Sequence, residues 1–189
     1  MKYFYTLIIV ALVTTCINSC KNIYGLKSNI SVNSDNIEAT SKSYGIKNSF
    51  YLVKDPYFSF LKQKTTDSTL IKNHSQPLQA IYFDSSGNIE SFHVNCYAAG
   101  FPNLNWNKDN ILETFPPKSQ TQNYMNIKLK EYSDFIKFSH SKDEKIVILF
   151  WNNFMGKQTK HFLEQFQKNI SKSIKLVKVI YINNDNLYL

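Results

Sequence analysis

The chain's thiol chemistry depends on three cysteines, at positions 16, 20 and 96. A thiolate is a strong nucleophile, and two neighbouring thiols can exchange a disulfide. Cys16 and Cys20 fall in an apolar N-terminal segment, which leaves Cys96 as the only thiol in the rest of the chain. A single thiol cannot form an internal disulfide, so we expect the folded part to be stabilised by a core rich in phenylalanine and tyrosine.

The first twenty residues, MKYFYTLIIVALVTTCINSC, have the layout of an export signal. A lysine precedes an apolar stretch over residues 3–13, which is shorter than a membrane-spanning helix needs, and small and polar residues follow. The end of the segment, Ile17-Asn18-Ser19-Cys20, resembles the bacterial lipoprotein signal. The resemblance implies a signal peptide over residues 1–19 and a lipid on Cys20. It also implies anchoring in the cell envelope, at the outer membrane or the periplasmic face.

Other interpretations of the first twenty residues stay open. Cys16, preceded by Val13-Thr14-Thr15, is the alternative lipid acceptor, although Ser19 suits the position before the cysteine better than Thr15 does. An ordinary cleaved signal or an uncleaved anchor would replace lipidation altogether.

The chain has a net charge of +8. Its positive charges come from lysine alone, because the chain has no arginine. Nucleic-acid binding usually relies on arginine for bidentate contacts to phosphate and guanine. The charge therefore favours a solvated lysine surface and weak attraction to anionic membranes, and we predict no nucleic-acid partner.

Composition divides the mature chain into two parts. Residues 20–49 are rich in Asn, Ser and Lys and have no sustained hydrophobic period, which predicts a flexible tether. Apolar density rises from residue 50, and residues 50–189 are predicted to form a single domain. The polar stretch 62–76 is interpreted as a loop. Helices are predicted over residues 107–115 and 126–138.

The sequence QAIYFDSSGNIESFHVNC predicts a hairpin at residues 80–96. Further on, the apolar run 146–151 predicts a strand covered on both faces, and an amphipathic helix and a last strand at 174–182 follow it. A strand, helix and strand of these lengths make a parallel βαβ unit. The predicted fold class is therefore α/β, with a small mixed sheet and a C-terminal parallel βαβ unit.

Within that unit, VILFWNNFMGKQTKHFLEQF followed by VKVIYINND resembles the opening βαβ of the thioredoxin-like superfamily. In that family a strand ending in Phe-Trp leads to Cys-Gly-Pro-Cys-Lys at the start of a helix. The resemblance places Met155 and Gln158 at the two cysteine positions, Gly156 at the glycine and Lys157 at the proline. Both sulfur positions are lost, so disulfide exchange at this turn is excluded.

The family continues after its βαβ unit with an antiparallel strand pair, whereas here the predicted hairpin comes before that unit. This order is what a circular permutation of the thioredoxin-like core would give. The permutation predicts that the 80–96 hairpin joins the sheet containing the 146–151 strand.

Three sites remain as candidates. The helix start at Gly156 and Lys157 offers backbone N–H groups that could hold an anion, against the alternative of an ordinary helix start. Cys96 is either a buried structural residue or a nucleophile. Tyr97 and Trp106 either line an aromatic pocket or pack on the core.

Nothing in the sequence indicates a metal or cofactor. The four histidines, at 74, 93, 140 and 161, lack ligand spacing, and the run NNDNLYL lacks the glycine and glutamate of a calcium loop. No nucleotide-binding or serine-hydrolase motif is present either.

The sequence as a whole predicts a lipid-anchored envelope protein whose domain is a non-redox binding or structural module. Its partners would be the membrane, through the lipid, and an envelope protein. The alternative is an envelope enzyme that uses Cys96 or an aromatic pocket near Tyr97 and Trp106. A secreted, soluble interaction protein is a third reading, and it differs from the first only in the lipid.

Overall fold

Five strands build one mixed sheet in the part of the chain that the structure, a computed structural model, describes. That part comprises residues 25–27, 33–95, 106–139, 141 and 144–188. The strands are β1 (Ser49–Tyr51), β2 (Gln79–Phe83), β3 (Ile89–Val94), β4 (Lys145–Trp151) and β5 (Val177–Asn183). The α-helices are α1 (Ser34–Ser43), α2 (Lys54–Lys64), α3 (Ser68–His74) and α4 (Lys157–Ile170). Short 3-10 helices cover Lys108–Asn110, Leu129–Asp134 and Asp185–Tyr188.

The strand order across the sheet is β1-β5-β4-β2-β3. β1 pairs with β5 and β5 with β4 in parallel, while β4 with β2 and β2 with β3 are antiparallel. The segment β4-α4-β5 is the predicted parallel βαβ unit, so the α/β fold class is confirmed.

The hairpin of β2 and β3 joins this sheet, as the permutation requires. Ile81 lies opposite Ile148 of β4, and the pairing continues along the whole of β2. The turn between the two hairpin strands is closed by Asp84, whose Oδ1 accepts hydrogen bonds from Ser86 N at 2.9 Å and Asn88 N at 2.8 Å. Gly87 completes the turn at a φ of 78°, where a side chain would be strained.

β4 is the centre of the molecule because both of its faces are covered. Ile146, Ile148 and Phe150 belong to one hydrophobic cluster, whose other members come mainly from α2, β3 and the 3-10 helix Leu129–Asp134. Residues 147, 149 and 151 alternate with them and belong to the second cluster, on the side of α4. This alternation explains why the apolar run is nearly continuous, and the prediction of a central strand is confirmed.

α4 packs its apolar face on the second cluster through Phe162, Leu163 and Phe166. Further along this helix, the buried side chain of Asn169 donates to Leu112 O and to Thr114 O, both at 2.7 Å. It also accepts a hydrogen bond from Tyr82 Oη at 3.1 Å. A polar side chain is tolerated there because its amide is fully bonded.

The outer edges of the sheet are short or covered. β1 has only three residues. Along β3, Ser119 Oγ accepts from Phe92 N at 3.2 Å, and Gln120 Oε1 accepts from Val94 N at 2.9 Å. Backbone groups that a further strand would need are therefore already bonded.

The interval predicted as a flexible tether differs in the structure, because α1 lies inside residues 20–49. Asn33 caps α1 by accepting a hydrogen bond from Asn36 N at 2.7 Å. Ile37 of α1 and Ile46 just after it are buried in the second cluster. Two isolated apolar anchors do not make a hydrophobic period, which is why the sequence pattern did not indicate this helix.

The predictions of helices at 107–115 and 126–138 were wrong. The structure has only short 3-10 helices in these segments, at Lys108–Asn110 and Leu129–Asp134. Leu129 and Tyr132 do face the core as expected. The backbone N–H of Leu129, however, donates to Gly87 O at 2.9 Å, a partner outside its own segment. Such tertiary hydrogen bonds replace those of a longer helix.

The reverse error occurs at 62–76, where a loop was predicted and α3 forms. Asp67 caps α3 by accepting hydrogen bonds from Thr69 N at 2.7 Å and Leu70 N at 3.4 Å.

Within the described ranges, no helix combines the length and hydropathy needed to cross a bilayer.

Two histidines are buried in the core. His74 stacks on Phe92 with ring centroids 4.6 Å apart, and its Nε2 accepts a hydrogen bond from Met125 N at 2.9 Å. His93 lies on the opposite face of β3, beside Tyr82. Burial lowers the pKa of His74 to about 3 and the pKa of His93 to about 4, from the ordinary value of 6.5.

Stability is therefore expected to fall as the pH drops from 6.5 towards 4. In that window the unfolded chain binds protons at His74 and His93 that the folded protein excludes, at a cost of about 2.5 kcal/mol per histidine by pH 4.5. Urea unfolding at several pH values measures this loss of stability. A His93→Gln variant should show a shallower pH slope than the wild-type protein does. A stability that stays constant down to pH 4.5 would contradict the buried neutral state.

Candidate functional site

The turn between β4 and α4, residues 152–156, is built on a buried side-chain amide. Asn152 donates through Nδ2 to Pro77 O at 3.1 Å and to Asn184 Oδ1 at 3.2 Å. Its Oδ1 accepts a hydrogen bond from Met155 N at 3.0 Å. Asn152 therefore joins the turn to the segment before β2 and to the segment after β5.

A buried carboxylate holds the next residue of the turn. Asp185 Oδ1 accepts from Asn153 N at 2.7 Å, and Oδ2 accepts from Asn153 Nδ2 at 2.8 Å and from Asn183 Nδ2 at 3.0 Å. Burial raises the pKa of Asp185 above its ordinary value, and these hydrogen bonds oppose the rise. The carboxylate thus acts as a clamp between the ends of β4 and β5.

This clamp was missed in the sequence, although a signal for it exists. Two Asn-Asn pairs, 152–153 and 183–184, follow strands predicted to be parallel neighbours. Carboxyl ends of parallel strands meet at one edge of a sheet, and Trp151 indeed lies opposite Asn183. The run NNDNLYL was considered only as a calcium loop, whereas Asp185 in fact binds side-chain and backbone N–H groups.

Met155 and Gln158, which the sequence resemblance places at the family's two cysteine positions, lie at the start of α4. Met155 is buried against the second cluster, and Gln158 is buried in the first turn of the helix. Among the described residues, none donates a hydrogen bond to the Gln158 Oε1 atom. Neither a thioether nor an amide can exchange a disulfide, so the turn has no thiol chemistry of its own.

The helix start itself is covered by another stretch of the chain, residues 25–27. Lys27 N donates a hydrogen bond to Phe154 O at 2.8 Å. A Cβ atom placed on Gly156 would lie 2.0 Å from Gly25 O, and one placed on Gly25 would lie 2.5 Å from the Cγ atom of Lys157. The 25–27 segment therefore lies directly on the turn, with backbone against backbone. The anion site expected at Gly156 and Lys157 stays a prediction.

The remaining candidates are not brought to this turn by the described structure. Trp106 is fully buried, with its ring centroid 4.2 Å from that of Phe162, so its ring is part of the core rather than the wall of an open pocket. Cys20, Cys96 and Tyr97 lie outside the described residues. Among the residues that are described, no group of histidines, cysteines and carboxylates is arranged to hold a metal ion.

Two shallow depressions border α1. One, of about 350 Å³, lies between α1 and α4 and includes Tyr44, Lys160 and Leu163. The other, of about 430 Å³, lies beside β1 and includes Lys42 and Lys47. Both are partly open to solvent, unlike an enclosed ligand pocket.

No protein-family model, curated protein or solved structure matches this chain. The class defined by the fold is an α/β protein with a five-stranded mixed sheet. Its distinguishing site is the clamped turn between β4 and α4.

An Asp185→Asn substitution is expected to destabilise the protein by about 1–3 kcal/mol. An amide offers one acceptor oxygen in place of two, so its NH₂ group would face a donor such as Asn183 Nδ2. Urea unfolding at pH 7 measures the loss, with Asp134→Asn, at an exposed position that ends a 3-10 helix, as the matched control. Equal stability of the two variants would show that the clamp contributes nothing.

Proposed function

We propose that the protein is a lipid-anchored protein of the cell envelope whose α/β domain is a binding module without redox chemistry. The observation that carries the proposal is the turn between β4 and α4. It is held by Asn152 and Asp185, it contains Met155 and leads to Gln158 where the thioredoxin-like family has cysteines, and it already receives a peptide backbone.

The strand neighbours support the link to a permuted thioredoxin-like core. The order β1-β5-β4-β2-β3 has the hairpin beside β4 and the parallel pairs on the other side of β4. Under this proposal the turn corresponds to the place where that family is reactive, with Met155 and Gln158 at the two sulfur positions.

A role in binding is supported by the rigidity of the turn. Asn152 is fully buried and Asn153 nearly so, and the amides of both are fixed by partners on other segments. A site held in place before the ligand arrives loses little conformational freedom on binding. The hydrogen bond from Lys27 N to Phe154 O shows that the turn can accept a hydrogen bond from a peptide backbone.

The lipid anchor is supported by the sequence Ile17-Asn18-Ser19-Cys20. A net charge of +8 adds weak attraction of the domain to anionic lipid headgroups. The partners proposed are therefore the membrane, through the lipid on Cys20, and an envelope protein at the turn.

Metabolic labelling with radioactive palmitate tests the anchor. The wild-type protein should carry label, Cys20→Ala should carry none, and Cys16→Ala should retain it, because only Cys20 becomes the acceptor. Label that persists in Cys20→Ala, or that never attaches to the wild type, would refute lipidation at this residue.

Photo-crosslinking in intact cells tests the binding surface. A photoreactive residue in place of Lys157, exposed beside the turn, should form a discrete adduct with an envelope protein. The same residue in place of Lys130, exposed on the 3-10 helix over the other face of the sheet, should not. Equal adducts at the two positions, or none at Lys157, would count against a binding role for the turn.

A further inference from the structure

We infer that the turn between β4 and α4 is a site for a peptide segment with a glycine in the left-handed conformation followed by an apolar residue, and that residues 25–27 occupy it within the same molecule. This inference rests on the proposed binding function and names its ligand class. It follows from three consecutive contacts of the 25–27 segment.

The first contact requires glycine in the ligand. Gly25 has a φ of 62°, in the left-handed region that side chains disfavour. A Cβ atom at this position would lie 2.5 Å from Lys157 Cγ and 2.9 Å from Lys157 Cβ. The Lys157 Cβ atom is fixed to the helix, so rotation of the side chain cannot relieve the overlap.

The second contact is between Gly156 of the turn and Gly25 of the bound segment, and it requires glycine in the turn as well. Gly156 has a φ of 46°, and a Cβ atom on it would lie 2.0 Å from Gly25 O and 3.1 Å from Gly25 C. The obstructing atoms are backbone atoms, which cannot move aside as a side chain can. Two glycines therefore allow two backbones to touch, which no other residue type would permit at either position.

The next two residues fix the direction and register of the segment. Leu26 is half-buried and packs against the second cluster. Lys27 N donates to Phe154 O at 2.8 Å, while the residue itself is exposed. The requirement is thus glycine, then an apolar side chain, then any residue with a backbone N–H.

Occupation from within the chain regulates the site. A tethered segment competes at an effective concentration on the order of millimolar, so a free peptide binds weakly until the segment leaves. Release of the 25–27 segment also increases the distance that the chain can span between Cys20 and the folded domain. Cys20 precedes Gly25 by five residues, which span at most about 18 Å, and precedes Ser34 by fourteen, which span at most about 50 Å. A ligand that displaces the segment would let a domain anchored through Cys20 move away from the membrane.

The test uses the full mature chain as wild type, Gly25→Ala and Gly45→Ala. Gly45 is the matched control, because it has a similar φ of 72° but no atom within 4 Å of an added Cβ. Hydrogen exchange at the Lys27 amide should be at least about tenfold faster in Gly25→Ala than in the other two proteins. Equal protection in all three proteins would refute the docked segment.

Ligand preference is tested with a labelled peptide of sequence Asn-Ile-Tyr-Gly-Leu-Lys-Ser, which copies residues 22–28. It should bind Gly25→Ala at least about tenfold more tightly than wild type or Gly45→Ala, and a peptide with alanine in place of its glycine should lose that binding. Equal binding of the two peptides, or no binding to Gly25→Ala, would overturn the inference. A specific adduct at Lys157 without peptide binding would leave the proposed function standing and remove only this ligand class.

Discussion

One buried carboxylate determines how the carboxyl edge of the sheet is organised. Asp185 accepts hydrogen bonds from the backbone and side chain of Asn153 and from the side chain of Asn183, and so ties together the ends of the two central parallel strands. Because it is desolvated, the carboxylate is tolerated only while these donors are present. The positions of Asn152, the turn and the start of α4 all follow from this clamp.

The turn between β4 and α4 shows how one buried amide can hold several segments together. Asn152 connects Met155 N, Pro77 O and Asn184 Oδ1, so three segments far apart in sequence meet at one amide. An amide is suited to this role because it donates and accepts at once. At the surface, the turn makes a close backbone contact with Gly25, which depends on glycine at position 156.

The sequence predicted the parts of the fold that hydrophobic spacing governs. The hairpin, the covered β4 strand and the amphipathic α4 helix each have a distinct period, and each was found. α1 and α3 depend instead on single caps, Asn33 and Asp67, and on a few apolar anchors. The expected helix at 126–138 had the right spacing, but the N–H group of Leu129 donates to Gly87 O, far away in sequence. The 25–27 contact depends on two glycines brought together by folding, and no local pattern could reveal it.

The edges of the sheet have a consequence for the protein at high local concentration. Crowding brings copies of a chain into lateral contact, where exposed strands add to one another and start aggregates. β1 offers only three residues, and the N–H groups of Phe92 and Val94 on β3 are already bonded by Ser119 and Gln120. Such a sheet gives neighbouring copies little to extend, which makes the fold compatible with dense packing side by side.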